Sequence, residues 1–164
     1  MRYVRRHSLP GKRSSSRPWS AHSSSRTPRC PQDVVSGSGV LVAGLFSAKQ
    51  KDYAETMSVL VGEIERLGGR VMAQFVQRRG VSGGKKGHAP GGRANMDRPY
   101  SSRTLMSTGK VREIAAVRVE THTRAVVFAN ELTARQRAVL SELLGCPVFS
   151  YGDLTSGTAS DEVR

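Results

Sequence analysis

Long apolar runs, aromatic side chains and cysteines are all scarce in this chain of 164 residues. It has no apolar run near the roughly 20 residues that a membrane span needs, and residues 1–30 lack the apolar core of a secretory signal. Aromatic residues make up 5% of the chain, too few to predict a base-stacking platform of the RRM type. The two cysteines, Cys30 and Cys146, show neither zinc-site nor disulfide spacing and fit a reducing compartment, so we expect a cytoplasmic protein.

Acidic residues are also few, and the basic excess is concentrated in two segments. The chain has 26 Lys and Arg against 13 Asp and Glu, a formal net charge of +13. Residues 1–33 and 78–124 hold the whole excess, and the remaining segments are close to neutral. A surplus of this size indicates a polyanionic partner or a solvated basic tail.

Both ends of the chain have the composition of unfolded segments. Residues 1–37 combine Ser clusters, scattered Arg and four prolines without apolar periodicity, which predicts a disordered basic tail. An organellar transit peptide, or a start codon assigned too far upstream, would explain the same composition. Residues 154–164 are interpreted as a polar C-terminal tail.

Between these tails, residues 38–153 predict one α/β domain. The expected fold is a small parallel sheet of about four strands flanked by about three helices. Short apolar runs indicate the strands, which are expected at 40–45, 71–76, 125–129 and 147–150. The helices are expected after Asp52, from 110 to 120, and after a Thr133/Gln136 capping box, with Val139, Leu140, Leu143 and Leu144 facing the core.

A long basic loop interrupts the domain at residues 79–103. It is rich in glycine and poor in apolar side chains, which is typical of a flexible functional loop or a disordered insertion. Such a composition can follow a phosphate backbone, with recognition by shape and charge. The predicted phosphate or RNA contacts are Arg78, Arg79, Lys85, Lys86, Arg93, Arg98, Arg103 and Lys110.

No complete catalytic motif is present in the sequence. The Gly-Lys pairs at Gly84 and Gly109 both miss the spacing and the hydroxyl residue of a P-loop. The four histidines lie in predicted loops or the tail without a nucleophile motif around them. We therefore expect no enzyme activity, no metal and no cofactor.

A weaker anion or nucleotide site remains possible on two features of the sequence. The turn Ser107-Thr108-Gly109-Lys110 opens a predicted helix, whose first amides and dipole favour a phosphate. Glu131 follows a strand at its carboxyl end, where open α/β sheets place ligand contacts. An ordinary turn and a polar strand-end residue are the alternative interpretations, and ATP or GTP would be weak ligands.

The order of these motifs resembles the N-terminal domain of the HflX family of ribosome-associated GTPases, over roughly residues 38–153. Three runs carry the resemblance: Val76-Gln77-Arg78-Arg79, Leu105-Met106-Ser107-Thr108-Gly109-Lys110-Val111-Arg112-Glu113-Ile114, and Asn130-Glu131-Leu132-Thr133-Ala134-Arg135-Gln136-Arg137. Ser107 replaces a glycine of the family pattern, the variable stretch is longer and more basic, and no P-loop, D-x-x-G or N-K-x-D motif of a G domain occurs.

The resemblance implies association with the ribosome or its RNA, without GTP hydrolysis by this chain. We therefore expect a non-catalytic binding module of the HflX N-terminal type. The alternatives are an ATP- or GTP-binding protein, since nucleotide binding is linked to this type of domain, and a partner of a separately encoded GTPase domain. Oligomeric state is not indicated by the sequence.

Overall fold

The computed structural model describes residues 30–80 and 99–156. Five helices and four strands alternate in these residues. In chain order they are α1 (Pro31–Val35), β1 (Gly39–Ser47), α2 (Tyr53–Arg66), β2 (Arg70–Arg79), α3 (Thr108–Thr121), β3 (Ala125–Phe128), α4 (Ala134–Leu144), β4 (Val148–Ser150) and α5 (Tyr151–Ser156). The predicted α/β fold with a four-stranded parallel sheet is confirmed, with two short helices added to the three that were expected.

The sheet has the order β2-β1-β3-β4, and all three pairings are parallel. Strand β1 pairs with β2 along its whole length and with β3 from Val40 to Ala43, so it lies at the centre of the sheet. The chain first adds β2 on one side of β1 and then β3 on the other. The carboxyl ends of β1 and β3 therefore form a topological switch point, where open α/β sheets have their crevice.

Side chains alternate along the strands, and each face of the sheet packs against different helices. One core cluster joins Leu41, Ala43, Val126 and Phe128 of the sheet to residues of α3 and α4, which include Ile114 and Leu140. The other joins Val40, Val42, Phe46 and Val127 to Met57, Leu60 and Ile64 of α2, and to Val35 and Leu154. The fold therefore has three layers, with the sheet between α2 on one face and α3 with α4 on the other.

The helix ends follow the sequence signals in most cases. Thr133 and Gln136 form the predicted capping box at α4, with both reciprocal bonds present, and Gly145 ends the helix in the left-handed conformation at φ 65°. Asp52 stands at the N-cap position of α2 as expected, but its side chain makes no capping bond. Leu143 was predicted to face the core with Leu140 and Leu144, yet it is 54% exposed, because it lies on the outer side of α4.

Regular structure extends beyond the predicted domain at both ends. Within the predicted tail, residues 31–35 form α1, and Val35 is fully buried among residues of α2 and α5. At the other end, α5 follows β4 directly and buries Leu154. Each segment has a single core side chain, so neither shows periodicity in the sequence. The rest of the predicted tails, residues 1–29 and 157–164, lies outside the described residues, as does 81–98 of the predicted basic loop.

Shifted pKa values occur on side chains near the amino ends of the strands. Burial raises the pKa of the Cys146 thiol, against the opposing effect of Arg118. The hydrogen bond from Arg66 lowers the pKa of Glu63 on α2. Neither group belongs to the predicted binding residues. None of the helices in 30–80 and 99–156 combines the length and apolar character needed to cross a membrane.

Candidate nucleic-acid interface

Arg78 is held in place at the end of β2 by an aromatic ring and two backbone carbonyls. Its guanidinium carbon lies 4.5 Å from the centroid of the Tyr53 ring. Its Nη2 donates to the carbonyl oxygens of Ala48 at 2.7 Å and Gln50 at 3.0 Å. These partners are neutral, so they hold the exposed side chain in one orientation without offsetting its positive charge.

Arg79 is held in a similar way by the segment that returns from the loop. Its guanidinium carbon lies 4.8 Å from the centroid of the Tyr100 ring, and its Nη1 donates to the Pro99 carbonyl at 2.7 Å. The Tyr100 hydroxyl donates to the Arg78 carbonyl at 3.4 Å. Residues 99–100 are therefore fastened to the end of β2, and successive strand residues direct the two guanidinium groups to opposite faces.

The other predicted cations have different environments. Arg103 is exposed in the turn between Ser101 and Leu105. Lys110 lies in the first turn of α3, where its Nζ is 2.6 Å from Oε2 of Glu113. That ion pair offsets part of the Lys110 charge. The remaining predicted contacts lie outside the described residues: Lys85, Lys86, Arg93 and Arg98.

The Ser107 turn is hydrogen-bonded to β2. The Gln77 carboxamide accepts from the Ser107 amide at 2.9 Å and donates to the Ser107 hydroxyl at 2.7 Å. The same hydroxyl caps α3 by accepting from the Lys110 amide at 3.3 Å. In the described part of the chain, only the Thr108 and Gly109 amides of this turn are left for an external anion. Gln77 therefore takes up the amide and the hydroxyl of Ser107 within the predicted anion site.

Glu131 belongs to a polar network that fastens α5 to the sheet. Its carboxylate lies 3.2 Å from the Ser150 hydroxyl, which is also 2.9 Å from Asp153. Asp153 in turn forms an ion pair with Arg137 at 2.7 Å. Gln77 and Ser150 belong to opposite edge strands, which the usual strand spacing places roughly 14 Å apart. Glu131 and the Ser107 turn therefore lie at opposite edges of the sheet, and no contact joins them in the described part of the chain.

Asn130 has a role that the sequence reasoning did not assign. Its Oδ1 accepts from the Leu45 amide at 2.7 Å, and its Nδ2 donates to the Leu45 carbonyl at 2.8 Å. The regular pairing of β1 with β3 ends at Ala43 and Phe128. The Asn130 side chain then supplies the hydrogen bonds that a further residue of β3 would make to β1. An asparagine two residues after a buried strand was the available signal. It joins the two strands at the switch point.

The calorimetric response to nucleotides is predictable from these bonds. We expect no heat above dilution on titration with ATP or GTP, because Ser107 is bonded to Gln77 and Lys110 to Glu113. Isothermal titration of the full chain tests this, with Lys110→Ala as the matched variant. Heat that saturates with the natural chain and disappears in Lys110→Ala would contradict the expectation and favour a nucleotide site at the turn.

Comparison with known proteins bears on the carboxyl-terminal part of the domain. Residues 93–154 match the protein family described as GTP-binding GTPase N-terminal. No curated protein matches the chain. The matched segment includes the Ser107 turn, the Asn130–Arg137 motif and the first part of α5 as far as Leu154. The resemblance to the N-terminal domain of HflX-type GTPases is therefore confirmed over residues 93–154.

Proposed function

We propose that this protein is a non-catalytic module of an HflX-type GTPase system that binds ribosomal RNA through the basic face at the carboxyl end of β2. By basic face we mean the end surface of the domain at the carboxyl end of β2, which carries Arg78 on the α2 side of the sheet and Arg79, Arg103 and Lys110 on the other side. The observation that carries the proposal is the placement of Arg78, which stacks on Tyr53 and, among the described residues, bonds to two neutral carbonyls. Lys85, Lys86, Arg93 and Arg98 lie in the sequence between β2 and Arg103 and bring four more positive charges to that segment.

Fixed arginines suit a phosphate backbone for a physical reason. A guanidinium presents several N–H donors in a planar arrangement that matches phosphate oxygens. Stacking on tyrosine and bonding to carbonyls restrict the side chain before any ligand arrives, so less entropy is lost on binding. Because aromatic residues make up 5% of the whole chain, contacts to phosphate and to RNA shape are favoured over base stacking.

The non-catalytic part of the proposal is supported by the roles of the motif residues. Asn130, Glu131 and Arg137 bond to other parts of the domain, and Thr133 caps α4. The motif therefore builds the carboxyl edge of the sheet and anchors α5. A domain of this family implies a G domain as its partner, and GTP hydrolysis is assigned to that partner.

Sedimentation of the full chain with ribosomes over a salt series tests the RNA interaction. Each phosphate contact contributes about 0.7–0.9 to the slope of log affinity against log salt concentration, so binding should weaken steeply. The double variant Arg78→Ala/Arg103→Ala should make that slope shallower by about 1.5, because it removes two phosphate contacts. The control Arg70→Ala/Arg124→Ala removes the same charge at exposed positions near the amino ends of β2 and β3, and should change the slope much less.

Two results would contradict the interface. Equal ribosome affinity at low and high salt would exclude a phosphate-based contact. An equal loss of slope in both double variants would show that net charge matters and that the basic face does not. Circular dichroism of each variant checks that the secondary structure of the domain has not been lost.

A further inference from the structure

A cleft of 290 Å³ lies between α2 and α5, on the face of the sheet opposite to α3 and α4. Apolar groups of Val59, Leu60, Ala129 and Tyr151 form much of its lining. Ala129 directly follows β3, and Tyr151 opens α5, so the cleft lies beside the switch point of the sheet. Val59 remains 54% exposed. The apolar wall is therefore open to a binding partner.

The rim of the cleft is acidic, in contrast to the strongly basic chain. Asp52 and Glu55 line it at the start of α2, and both are exposed. The Asp52 carboxylate makes no capping bond to the helix. Within residues 30–80 and 99–156, neither carboxylate forms an ion pair with a basic side chain. An occupant with apolar and cationic groups would complement both parts of the lining.

The chain itself has a segment of this composition before α1. Residues 1–29 contain eight basic side chains and no acidic one, together with Trp19 and Tyr3. The segment continues into α1, where Gln32 Nε2 donates to the Leu154 carbonyl of α5 at 3.0 Å. Leu154 is three residues after Tyr151, about one helical turn from the cleft lining.

Distance and tethering both favour binding within one molecule. Lys12 is eighteen positions before Cys30 in the sequence, a separation for which random-coil statistics give about 23 Å on average. Lys12 and Trp19 are therefore within reach of the cleft. A tethered segment also acts at an effective concentration on the order of millimolar, so even weak ion pairs and apolar contacts can hold it.

We propose that the basic segment 1–29 docks in the cleft between α2 and α5 of its own chain, with its cations on Asp52 and Glu55 and its apolar groups against Val59 and Tyr151. Docking neutralises the acidic rim and takes part of the segment's charge away from solution. A polyanion that binds residues 1–29 competes with the cleft for them. This docking does not depend on the proposed RNA function of the basic face.

Carbodiimide cross-linking of the full chain tests the docking without any nucleic acid. The reagent activates a carboxylate, an adjacent amine displaces it as a urea, and an amide bond joins the two side chains. Lys12 is the one lysine in residues 1–29, so mass spectrometry should find it linked to Asp52 or Glu55. A mixture of ¹⁴N- and ¹⁵N-labelled protein should give links within one isotope, whereas mixed-isotope links would mean docking on a second copy and would overturn the proposal.

Trp19 gives an independent readout because it is the single tryptophan of the chain. Its fluorescence should be shielded from acrylamide in the natural chain, and the shielding should fall in Asp52→Asn/Glu55→Gln. The double variant removes two exposed ion pairs of ordinary strength. The ratio of docked to undocked segment should therefore fall about threefold or more. The control Glu65→Gln/Glu142→Gln removes two exposed carboxylates elsewhere and should leave the quenching unchanged.

Equal quenching in the natural chain and in both double variants, without any Lys12 cross-link to the rim, would overturn the proposal. Circular dichroism confirms the fold of each variant, so that unfolding is not read as undocking. Neither measurement contains ribosomes or RNA. A failure of the docking is therefore distinguishable from a failure of the basic face to bind RNA.

Discussion

Replacing Asn130 by alanine is expected to lower the free energy of unfolding by about 2–4 kcal/mol. The substitution removes both hydrogen bonds to Leu45, whose side chain is almost completely buried. It leaves a backbone amide and a carbonyl of the central strand without their partner at the switch point. The measurement is urea unfolding of the full chain, followed by far-ultraviolet circular dichroism.

The variant Asn130→Asp separates the two bonds that alanine removes together. Aspartate still accepts from the Leu45 amide, but it cannot donate to the Leu45 carbonyl when ionised. We expect it to destabilise as well, because a carboxylate then faces a carbonyl oxygen. A loss below about 0.5 kcal/mol for Asn130→Ala would mean that water replaces the side chain, and the structural role of Asn130 would be wrong.

Gly44→Ala is expected to destabilise the protein by about 1–3 kcal/mol through overpacking. A methyl group at this position would lie 2.5 Å and 2.7 Å from two carbons of the Phe46 ring, and 3.1 Å from Met57 Sδ. The Phe46 ring is buried and cannot move away without disturbing the packing of α2. The clash therefore outweighs the gain that alanine usually brings over glycine in a strand, and chemical denaturation measures the difference.

Gly62→Ala is the matched control for this prediction. Gly62 lies on the exposed side of α2, and a methyl group there would meet nothing within 4 Å. Alanine should therefore stabilise the protein by about 0.5–1 kcal/mol, because glycine is a poor helix former. If both variants moved the stability in the same direction and by similar amounts, close packing at Gly44 would not be the cause.

Much of the fold could be predicted because its signals are local. The apolar run of β1, the periodicity of α2 and the Thr133/Gln136 capping box all correspond to observed elements. The short helices α1 and α5 could not be predicted, because each buries one large side chain against residues distant in sequence. Leu143 was predicted to be buried and is exposed, because an apolar residue in an amphipathic helix can still lie on its outer side.

The candidate site was predictable in composition and not in geometry. The basic character around Arg78, Arg79 and Arg103 is visible in the sequence, and their contact with RNA stays a prediction. The positions of Arg78 and Arg79 depend on Tyr53 and Tyr100, which are more than twenty residues away from the arginines they contact. The Gln77–Ser107 bonds span 30 residues and could not be inferred from either segment alone.

The sequence by itself determined the α/β class, the strand order along the chain, the basic surplus and the resemblance to one family, because patterning, charge and motif spacing are properties of the linear chain. The tertiary structure alone decided what the motif residues contact. Side chains such as Asn130, Glu131 and Gln77 are polar and their partners are far away in sequence, so their pairing depends on how the strands meet. That geometry placed Ser107, Lys110 and Glu131 in bonds within the domain and stacked Arg78 and Arg79 on tyrosine rings.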